Sequence, residues 1–373
     1  MIVANAFLKT GGQDRANFAL ASYLAQRGDP VHVVAHAVGD SLCGPTLARH
    51  IATRPIRSDL LGEPFLERLG QRTATRLQPL HPHVIVNGGN CNWSDVNWVH
   101  YVHAAYERPL VGGLATRTRW RLSHQRWLKA ERRALLNARL VLANSKRTRR
   151  DLVGLVGVPA ERIRVVYYGT DPEYFRPPRA GERAEIRRRL GWSPDRPVAL
   201  FIGALGDRRK GFDTAILAWK QLRARGTQPP LLVVVGQGAL LQEWRRCVAE
   251  SGLSDSIVFL GFRNDVPQFV RAADLLVAPT RYEAYGLGVH EALCCGLPAV
   301  VSADAGVAER YPPELRHLLL EDPTNPGELA SKVDAALSAS SAQVEALNDL
   351  ATALRSRTWH DMARELVDVV CER

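Results

Sequence analysis

An apolar run that ends in a loop, followed by an amphipathic helix and then another apolar run, recurs along this chain in two separate series. The first comprises Met1–Asn5, the loop Gly11-Gly12, Ala16–Arg27 and Val31–Ala35. It continues through short runs at Val84–Asn87, Val99–His103, Leu140–Asn144 and Val165–Tyr168. Asp171 to Pro197 then carries Pro172, Pro177, Pro178, Gly181, Pro194 and Pro197 around a short charged helix, Glu182–Leu190, which is linker composition. The pattern restarts with Pro197–Ile202, a glycine-basic loop and a helix from about Phe212 to Gly226. Leu231–Val235, Ile257–Leu260, Leu275–Ala278 and Val300–Ser302 follow as strands, with helices over about Leu240–Ser251 and Val266–Ala272 between them. Strands alternating with helices predict an α/β chain with a parallel, doubly wound sheet, and two series predict two such domains. Ligands of these sheets bind at the carboxyl ends of the strands, so the expected site is a cleft between the domains.

Length agrees, since 373 residues suit two domains of roughly 150–200 residues better than one core. No apolar run approaches the roughly 20 residues of a membrane span. The first residues run straight into Ile2-Val3-Ala4 without a basic leader, so a cytoplasmic protein is expected. Six cysteines show no metal-ligand spacing and read as reduced thiols, most of them packing. A net charge of +11 points to anionic partners such as phosphates, lipid head groups or nucleic acid.

The stretch from Arg281 to Ala292 carries the most chemistry. The strand Leu275–Ala278 ends at Pro279, and after Gly286 the pattern turns helical. Glycines at 286 and 288 leave the backbone bare where a helix begins, and free N–H groups there suit a phosphate. Glu283 in the loop and Glu291 two turns into the helix can grip different hydroxyls of one long polar ligand. The blander reading is a strand–loop–helix unit with two solvated glutamates. A second loop, Gly203-Ala204-Leu205-Gly206-Asp207-Arg208-Arg209-Lys210-Gly211, also follows a strand and opens a helix. Three cations beside a glycine hinge suit a diphosphate, because Arg binds two oxygens at once and Lys adds a compact charge.

Glu-x7-Glu, with Gly286 three after the first Glu and Gly296-Leu297-Pro298 after the second, resembles the signature of glycosyltransferase family 4, retaining enzymes of the GT-B fold. The family usually has Phe where Tyr285 stands; Tyr keeps the ring and adds a hydroxyl. The Arg209-Lys210-Gly211 segment resembles the family's phosphate-binding motif, although many members carry Arg where Ala204 stands and Arg209 supplies that charge here. The resemblance runs from Gly11 to about Trp359, strongest from Pro197 to Glu309 and weakest from Ala37 to Pro82. It implies a GT-B chain with an acceptor-binding domain over 1–175, a linker over 176–196, a nucleotide-sugar-binding domain over 197–350 and a C-terminal helix over 351–373 crossing back, with Trp359 to Val370 as the candidate.

The resemblance also implies roles. Arg209 and Lys210 would stabilise the departing diphosphate, Glu283 would orient the donor sugar, and Glu291 would accept from both ribose hydroxyls. Gly203, Gly236, Phe262, Arg263, Tyr285, Gly286 and Leu287 would line the donor, with Gly236-Gln237-Gly238 and Phe262-Arg263 near the base. Gly11 and Gly12 would border the donor phosphates and the acceptor, with Lys9 and Asp14 as candidate acceptor contacts. Trp98 to Tyr106 alternates like a strand with His100 and His103 on one face; His103 best matches the family's histidine near the reacting sugar, as a hydrogen-bonding group, and His100 is the second choice. Without a carboxylate or Cys beside the pair, a satisfied core histidine is the plainer alternative to a metal ligand. Asn144-Ser145 reads as a helix cap. Tyr168-Gly169-Thr170-Asp171 resembles the family's Asn-Gly-Val-Asp turn with Tyr168 in the Asn place, and Ser302 to Glu309 resembles a loop that packs.

Arg117 to Arg150 is dense in Arg and Lys, with Glu131 as a lone acid inside it and Trp120 and Trp127 seven apart on one helical face. Such a segment reads as a contact with an anionic membrane surface or as a solvated helix whose tryptophans pack inward; a nucleic-acid groove is disfavoured because no recognised module accompanies the charge. The expectation is therefore a hexosyltransferase using a nucleotide-sugar, UDP- or GDP-linked, on a glycan or lipid-linked acceptor in cell-envelope synthesis. The resemblance implies front-face attack with retention, and no Asp-x-Asp metal motif is present, so no cofactor and no metal are expected. A nucleotide-sugar epimerase of the same fold and a non-catalytic membrane-surface or nucleic-acid-binding protein are the alternatives.

Overall fold

The computed structural model describes residues 1–53, 59–106, 113–226 and 228–372. They fall into two compact units, one formed by Met1–Gly169 with Thr358–Arg373 and the other by Thr170–Arg357.

The first unit holds a parallel sheet of seven strands: β1 Ile2–Val3, β2 Val31–Ala35, β3 Leu47–Ile51, β4 Ile85–Val86, β5 Val96–Val99, β6 Leu140–Ala143 and β7 Ile163–Val165, in the order β3-β2-β1-β4-β5-β6-β7. Its helices include α1 Gly12–Gln26, α2 Asp59–Leu77 and α3 Leu114–Asn137. The second unit holds six parallel strands: β8 Val198–Ile202, β9 Leu231–Val235, β10 Ile257–Gly261, β11 Leu275–Ala278, β12 Ala299–Ser302 and β13 Leu319–Leu320, in the order β10-β9-β8-β11-β12-β13. Helices α4 Glu182–Leu190, α5 Phe212–Ala224, α6 Leu241–Glu250, α7 Val266–Ala272, α8 Leu287–Cys294, α9 Pro326–Leu337 and α10 Ser341–Arg355 belong to it. α11, Trp359–Cys371, belongs to the first unit, where it packs on α1 with Tyr23 and His360 edge to face at 4.7 Å.

Strands of a parallel sheet covered by helices on both faces must be apolar throughout, and Val-Ala-Leu-Phe-Ile and Leu-Leu-Val-Val-Val in β8 and β9 are that sequence. With α5, α6, α8 and α9 they form one continuous core centred on Leu200, Phe201, Phe212, Trp219 and Val233. In each sheet the strand order reverses once, at β1/β4 and at β8/β11. Loops that leave neighbouring strands at such a reversal diverge to opposite faces and open a crevice.

Three expectations need correction. Residues 176–196 are not a linker: α4 packs on α7, and Arg183 and Arg187 both bind Asp274 at the start of β11, so the proline-rich stretch is part of the second unit. Residues 351–355 complete α10 in that same unit rather than starting the final helix. The strand expected over Val99–His103 ends at Val99, and His103 opens a 3-10 turn, His103–Ala105; the expectation of one face also fails on spacing, because residues three apart on a strand point to opposite faces. Between Ala37 and Pro82, β3 and α2 gave no sequence signal strong enough to be expected. None of the described helices is long and apolar enough to cross a membrane.

Candidate functional site

The reversal in the second unit sets the loop after β8 beside the loop after β11. Close backbone approach holds them there. Gly211 has φ of 73°, and a Cβ on it would lie 1.8 Å from the carbonyl oxygen of Pro279. Arg281 N–H donates to the Arg209 carbonyl at 2.8 Å, and Thr280 Oγ1 donates to the same oxygen at 3.2 Å. The Arg281 guanidinium binds both oxygens of Asp213 at 2.8 and 2.9 Å, tying the second loop to the first turn of α5. Arg281 and Asp213 were not singled out by sequence; their separation of 68 residues hides the pair.

Within this frame Lys210 Nζ forms an ion pair with the carboxylate of Glu283. The stem of Lys210 lies over Gly203, where a Cβ would come within 3.3 Å of its Cγ. Arg209 Nη1 donates to the Tyr282 carbonyl at 3.1 Å, and its own N–H is held by Asp207 at 2.9 Å. So the structure brings Gly203, Arg209, Lys210 and Glu283 together. Gly286, with φ of 107°, then opens α8, and a Cβ there would meet Val307 at 2.9 Å. The segment expected only to pack, Ser302 to Glu309, also clamps this turn: Gly306 N–H donates to the Glu283 carbonyl at 3.1 Å and Val307 N–H to that of Tyr285 at 2.6 Å. Leu287 begins α8, and Glu291 sits one turn on, nearly buried. Tyr285 turns its ring inward and shares a hydrogen bond with His290 Nδ1 at 2.8 Å. Burial pushes the His290 imidazole down to about 3, so it is neutral.

Gly236 has φ of 150°, and a Cβ would strike the Gly203 carbonyl at 1.9 Å, so the ends of β8 and β9 touch backbone to backbone. Phe262, just past β10, is 59% exposed and offers an open ring face. Arg263 is engaged by Asp265 at 2.6 and 2.8 Å and lies over Phe269.

In the first unit, Gly11 has φ of 78° and caps α1, and Gly12 is its first residue. Asp14 lies in that first turn, where burial pushes its carboxyl up to about 6; Lys9 lies over the Phe18 ring instead. His103 pairs through Nδ1 with Glu131 of α3 at 2.9 Å. Sequence reasoning noted Glu131 only as the lone acid in a basic run, and that anomaly was its signal. His100 is separate and buried; it meets Tyr168 Oη at 2.5 Å and Asn87 Nδ2 at 3.3 Å, and burial pushes it down to about 3. It is a satisfied core histidine, and Tyr168 at the family's Asn position is its partner. Ser145 caps the helix Lys146–Asp151 by accepting from Thr148 N–H at 2.9 Å, as expected of a structural residue.

The basic run divides. Arg147 is buried against Asp151, Arg139 binds Asp95 and Arg133 binds Glu67. Arg117, Arg119, Arg121, Arg126 and Lys129 are exposed along α3, together with Leu122, which is 64% exposed. Trp127 packs beside His103, and Trp120 stacks on His124 at 4.7 Å.

Residues 10–174 match the sequence profile of Glycosyltransferase Family 4, and residues 182–356 match that of Glycosyl transferases group 1. An uncharacterised glycosyltransferase of Methanocaldococcus jannaschii is 28% identical over 233 residues, covering 61% of this chain and 59% of that protein. The chain spans about half the length of the relatives it matches in sequence. Among solved structures, WaaG, described as a glycosyltransferase involved in lipopolysaccharide biosynthesis, superposes with a TM-score of 0.77 at 20% identity over 99% of this chain and 98% of its own. HepE of Anabaena, solved with UDP-glucose, gives 0.73 at 18% over 100% and 99%. These likenesses show the GT-B fold of two Rossmann-like units.

Proposed function

We propose, for a chain that belongs to the glycosyltransferases of family 4 and group 1, that it moves a hexosyl group from a nucleotide-sugar to an acceptor hydroxyl with retention at the anomeric carbon. The observation that carries this reading is the Lys210–Glu283 pair, set on two different loops at the strand reversal beside the Gly286 opening of α8. A lysine for phosphate oxygens and a carboxylate for sugar hydroxyls then stand side by side, as a donor with both groups requires.

Charge develops on the diphosphate as the bond from the anomeric carbon to its oxygen breaks. Lys210 and Arg209 stabilise that oxygen, with the N–H groups at the start of α8 as a second cationic end. Glu283 exchanges Lys210 for hydroxyls of the sugar and orients it, and Glu291 accepts from the ribose. The acceptor oxygen bonds to the anomeric carbon on the face the diphosphate leaves, and its proton passes to the departing phosphate. Gly203 and Gly236 give the phosphates room, and Phe262 offers its ring to the base. Gly11 and Gly12 border the phosphates and acceptor, and His103 hydrogen-bonds a hydroxyl. No metal is needed in this scheme, because the protein's own cations carry the charge compensation.

A UDP- or GDP-sugar is the proposed donor, in keeping with the UDP-glucose complex of HepE. The proposed acceptor is a glycan or glycolipid of the cell envelope, in keeping with the described role of WaaG. The exposed arginines of α3, with Leu122 among them, support peripheral attachment to an anionic membrane on its cytoplasmic side. That attachment fails as a reading if anionic liposomes do not retain the protein at low salt.

The test of activity is nucleoside diphosphate release from UDP-, GDP-, ADP- and dTDP-sugars, with and without EDTA, for wild type and Lys210→Ala. Release from one donor, insensitive to EDTA and lost in the variant, is expected. Release that EDTA abolishes would overturn metal independence, and release that survives Lys210→Ala would overturn the assignment of the phosphate site.

A further inference from the structure

We infer that Glu131 is the positioning residue for His103: it fixes the proton on Nδ1 and so presents Nε2 to the substrate as a hydrogen-bond acceptor. The inference rests on the proposed function for what the substrate is, but its geometry stands alone.

Glu131 lies in the middle of α3 and is 1% exposed. Its carboxylate makes three contacts with one residue. Oε1 and Oε2 receive the main-chain N–H of His103 at 3.1 and 3.0 Å, and Oε1 meets His103 Nδ1 at 2.9 Å. A carboxylate has only lone pairs to offer, so the ring nitrogen facing it carries the hydrogen. The other nitrogen, Nε2, is then left with its lone pair in the neutral ring. The His103 side chain is 36% exposed against 2% for Glu131, so one edge of the ring is fixed inside and the rest is open.

The anchor is closely packed. Gly89, in the loop after β4, packs so closely on α3 that a Cβ would lie 2.9 Å from the Glu131 backbone nitrogen. Trp127, one turn earlier on α3, stands 5.8 Å from the His103 ring, and Tyr101 meets it edge-on at 5.1 Å. Two loops at the carboxyl ends of β4 and β5 are thereby referenced to a single helix position. A carboxylate removed from water is costly unless it is bonded, and among the described residues its bonds go to His103. A turn needing only a cap would be served by the two main-chain bonds. The third bond, to Nδ1, sets the tautomer, as carboxylates do for histidines that bind metals or move protons. The chemical consequence is directional: the partner of His103 is an O–H donor, a sugar hydroxyl rather than a phosphate oxygen.

Glu131→Gln keeps size but replaces one acceptor oxygen by an NH2 donor, so the side chain can pair with either tautomer and no longer dictates which ring nitrogen carries the hydrogen. Long-range 1H–15N correlation spectra of the full chain, with His103 assigned by its loss in His103→Gln, read the tautomer directly. Wild type is expected to show the Nδ1–H form, and Glu131→Gln to lose it. In steady-state transfer assays with the donor found above, Glu131→Gln is expected to lower kcat about ten- to hundredfold with donor KM within a few-fold. The double variant Glu131→Gln, His103→Gln should be no slower than His103→Gln alone. An Nε2–H tautomer in wild type, or an equal loss from Glu131→Gln in the presence and absence of His103, would overturn the inference. If wild type transfers nothing, the functional reading fails, and the spectrum of wild type still decides the tautomer. The same spectrum decides it if Glu131→Gln does not fold.

Discussion

Tyr285 and His290 share a buried hydrogen bond, hydroxyl to Nδ1 at 2.8 Å, across the Gly286 turn that opens α8. Both side chains are buried, and the bond between them offsets part of the cost of removing their polar atoms from water. Tyr285→Phe leaves the imidazole without that partner and is expected to cost about 1–3 kcal/mol in urea denaturation. His290→Leu removes that partner from the hydroxyl, and a similar cost is expected. The double variant Tyr285→Phe, His290→Leu should be less destabilised than the sum of the two, because no polar group of the pair is left buried alone. Additive losses would show that the bond contributes nothing.

His290 and His100 are both held neutral, pushed down to about 3 by burial. A depressed histidine stabilises the fold fully above its unfolded value near 6.5, and that contribution is lost as pH falls toward the folded value. The denaturation midpoint should therefore decline from about pH 6.5 downward. In Tyr285→Phe, His290→Leu this acid decline should be shallower than in wild type. An unchanged slope would place the acid sensitivity elsewhere.

Asp14 has the opposite sign. Burial pushes its carboxyl up to about 6, so the folded state prefers the neutral acid. Stability is present at low pH and falls as pH rises from about 4 through 6. Asp14→Asn should remove that fall and make the protein more stable at pH 8 by about 1–2 kcal/mol, the carboxyl being only partly buried. Thermal unfolding at pH 4 and pH 8 measures it; a variant less stable than wild type at pH 8 would contradict the reading.

Lys210 is bound to Glu283 in the substrate-free protein, so the two substitutions should separate in calorimetry. Lys210→Ala is expected to weaken nucleoside diphosphate binding and to lower kcat/KM about 10²–10³-fold. Glu283→Gln should bind the nucleoside diphosphate at least as well as wild type, because Lys210 loses its competing carboxylate, while transfer collapses. Weaker nucleotide binding in Glu283→Gln would mean that Glu283 contacts the nucleotide instead.

Gly211 is expected to tolerate no side chain. Gly211→Ala places a Cβ 1.8 Å from the Pro279 oxygen in a left-handed backbone conformation and should cost more than about 3 kcal/mol in chemical denaturation. A folded variant within 1 kcal/mol of wild type, by the order of magnitude of ordinary surface changes, would show that the two loops can part.

The amino-acid pattern by itself determined most strands and helices of the second unit between Glu182 and Ser302, whereas β13, α9 and α10 were not singled out by it. Glu182–Leu190, Leu231–Val235, Val266–Ala272 and Leu275–Ala278 stand as their periodicity predicts. That is because burial on both faces of a parallel sheet demands unbroken apolar runs, and glycine marks each loop where backbones approach. The residue types proposed for phosphate and sugar, Arg209-Lys210 and Glu283, were legible for the same local reason. Which residues meet was not. Lys210 and Glu283 are 73 residues apart, and only the strand order, with β11 beside β8, brings their loops together. His103 and His100 have the same local pattern, yet one is held by Glu131 at the protein surface and the other is locked to Tyr168 inside, 68 residues away. The proline-rich stretch 176–196 has linker composition but becomes part of a domain because Arg183 and Arg187 find Asp274. Periodicity is a property of neighbours in sequence; sheet order and the choice of polar partners are set by long-range packing, and these decide which side chains share a site.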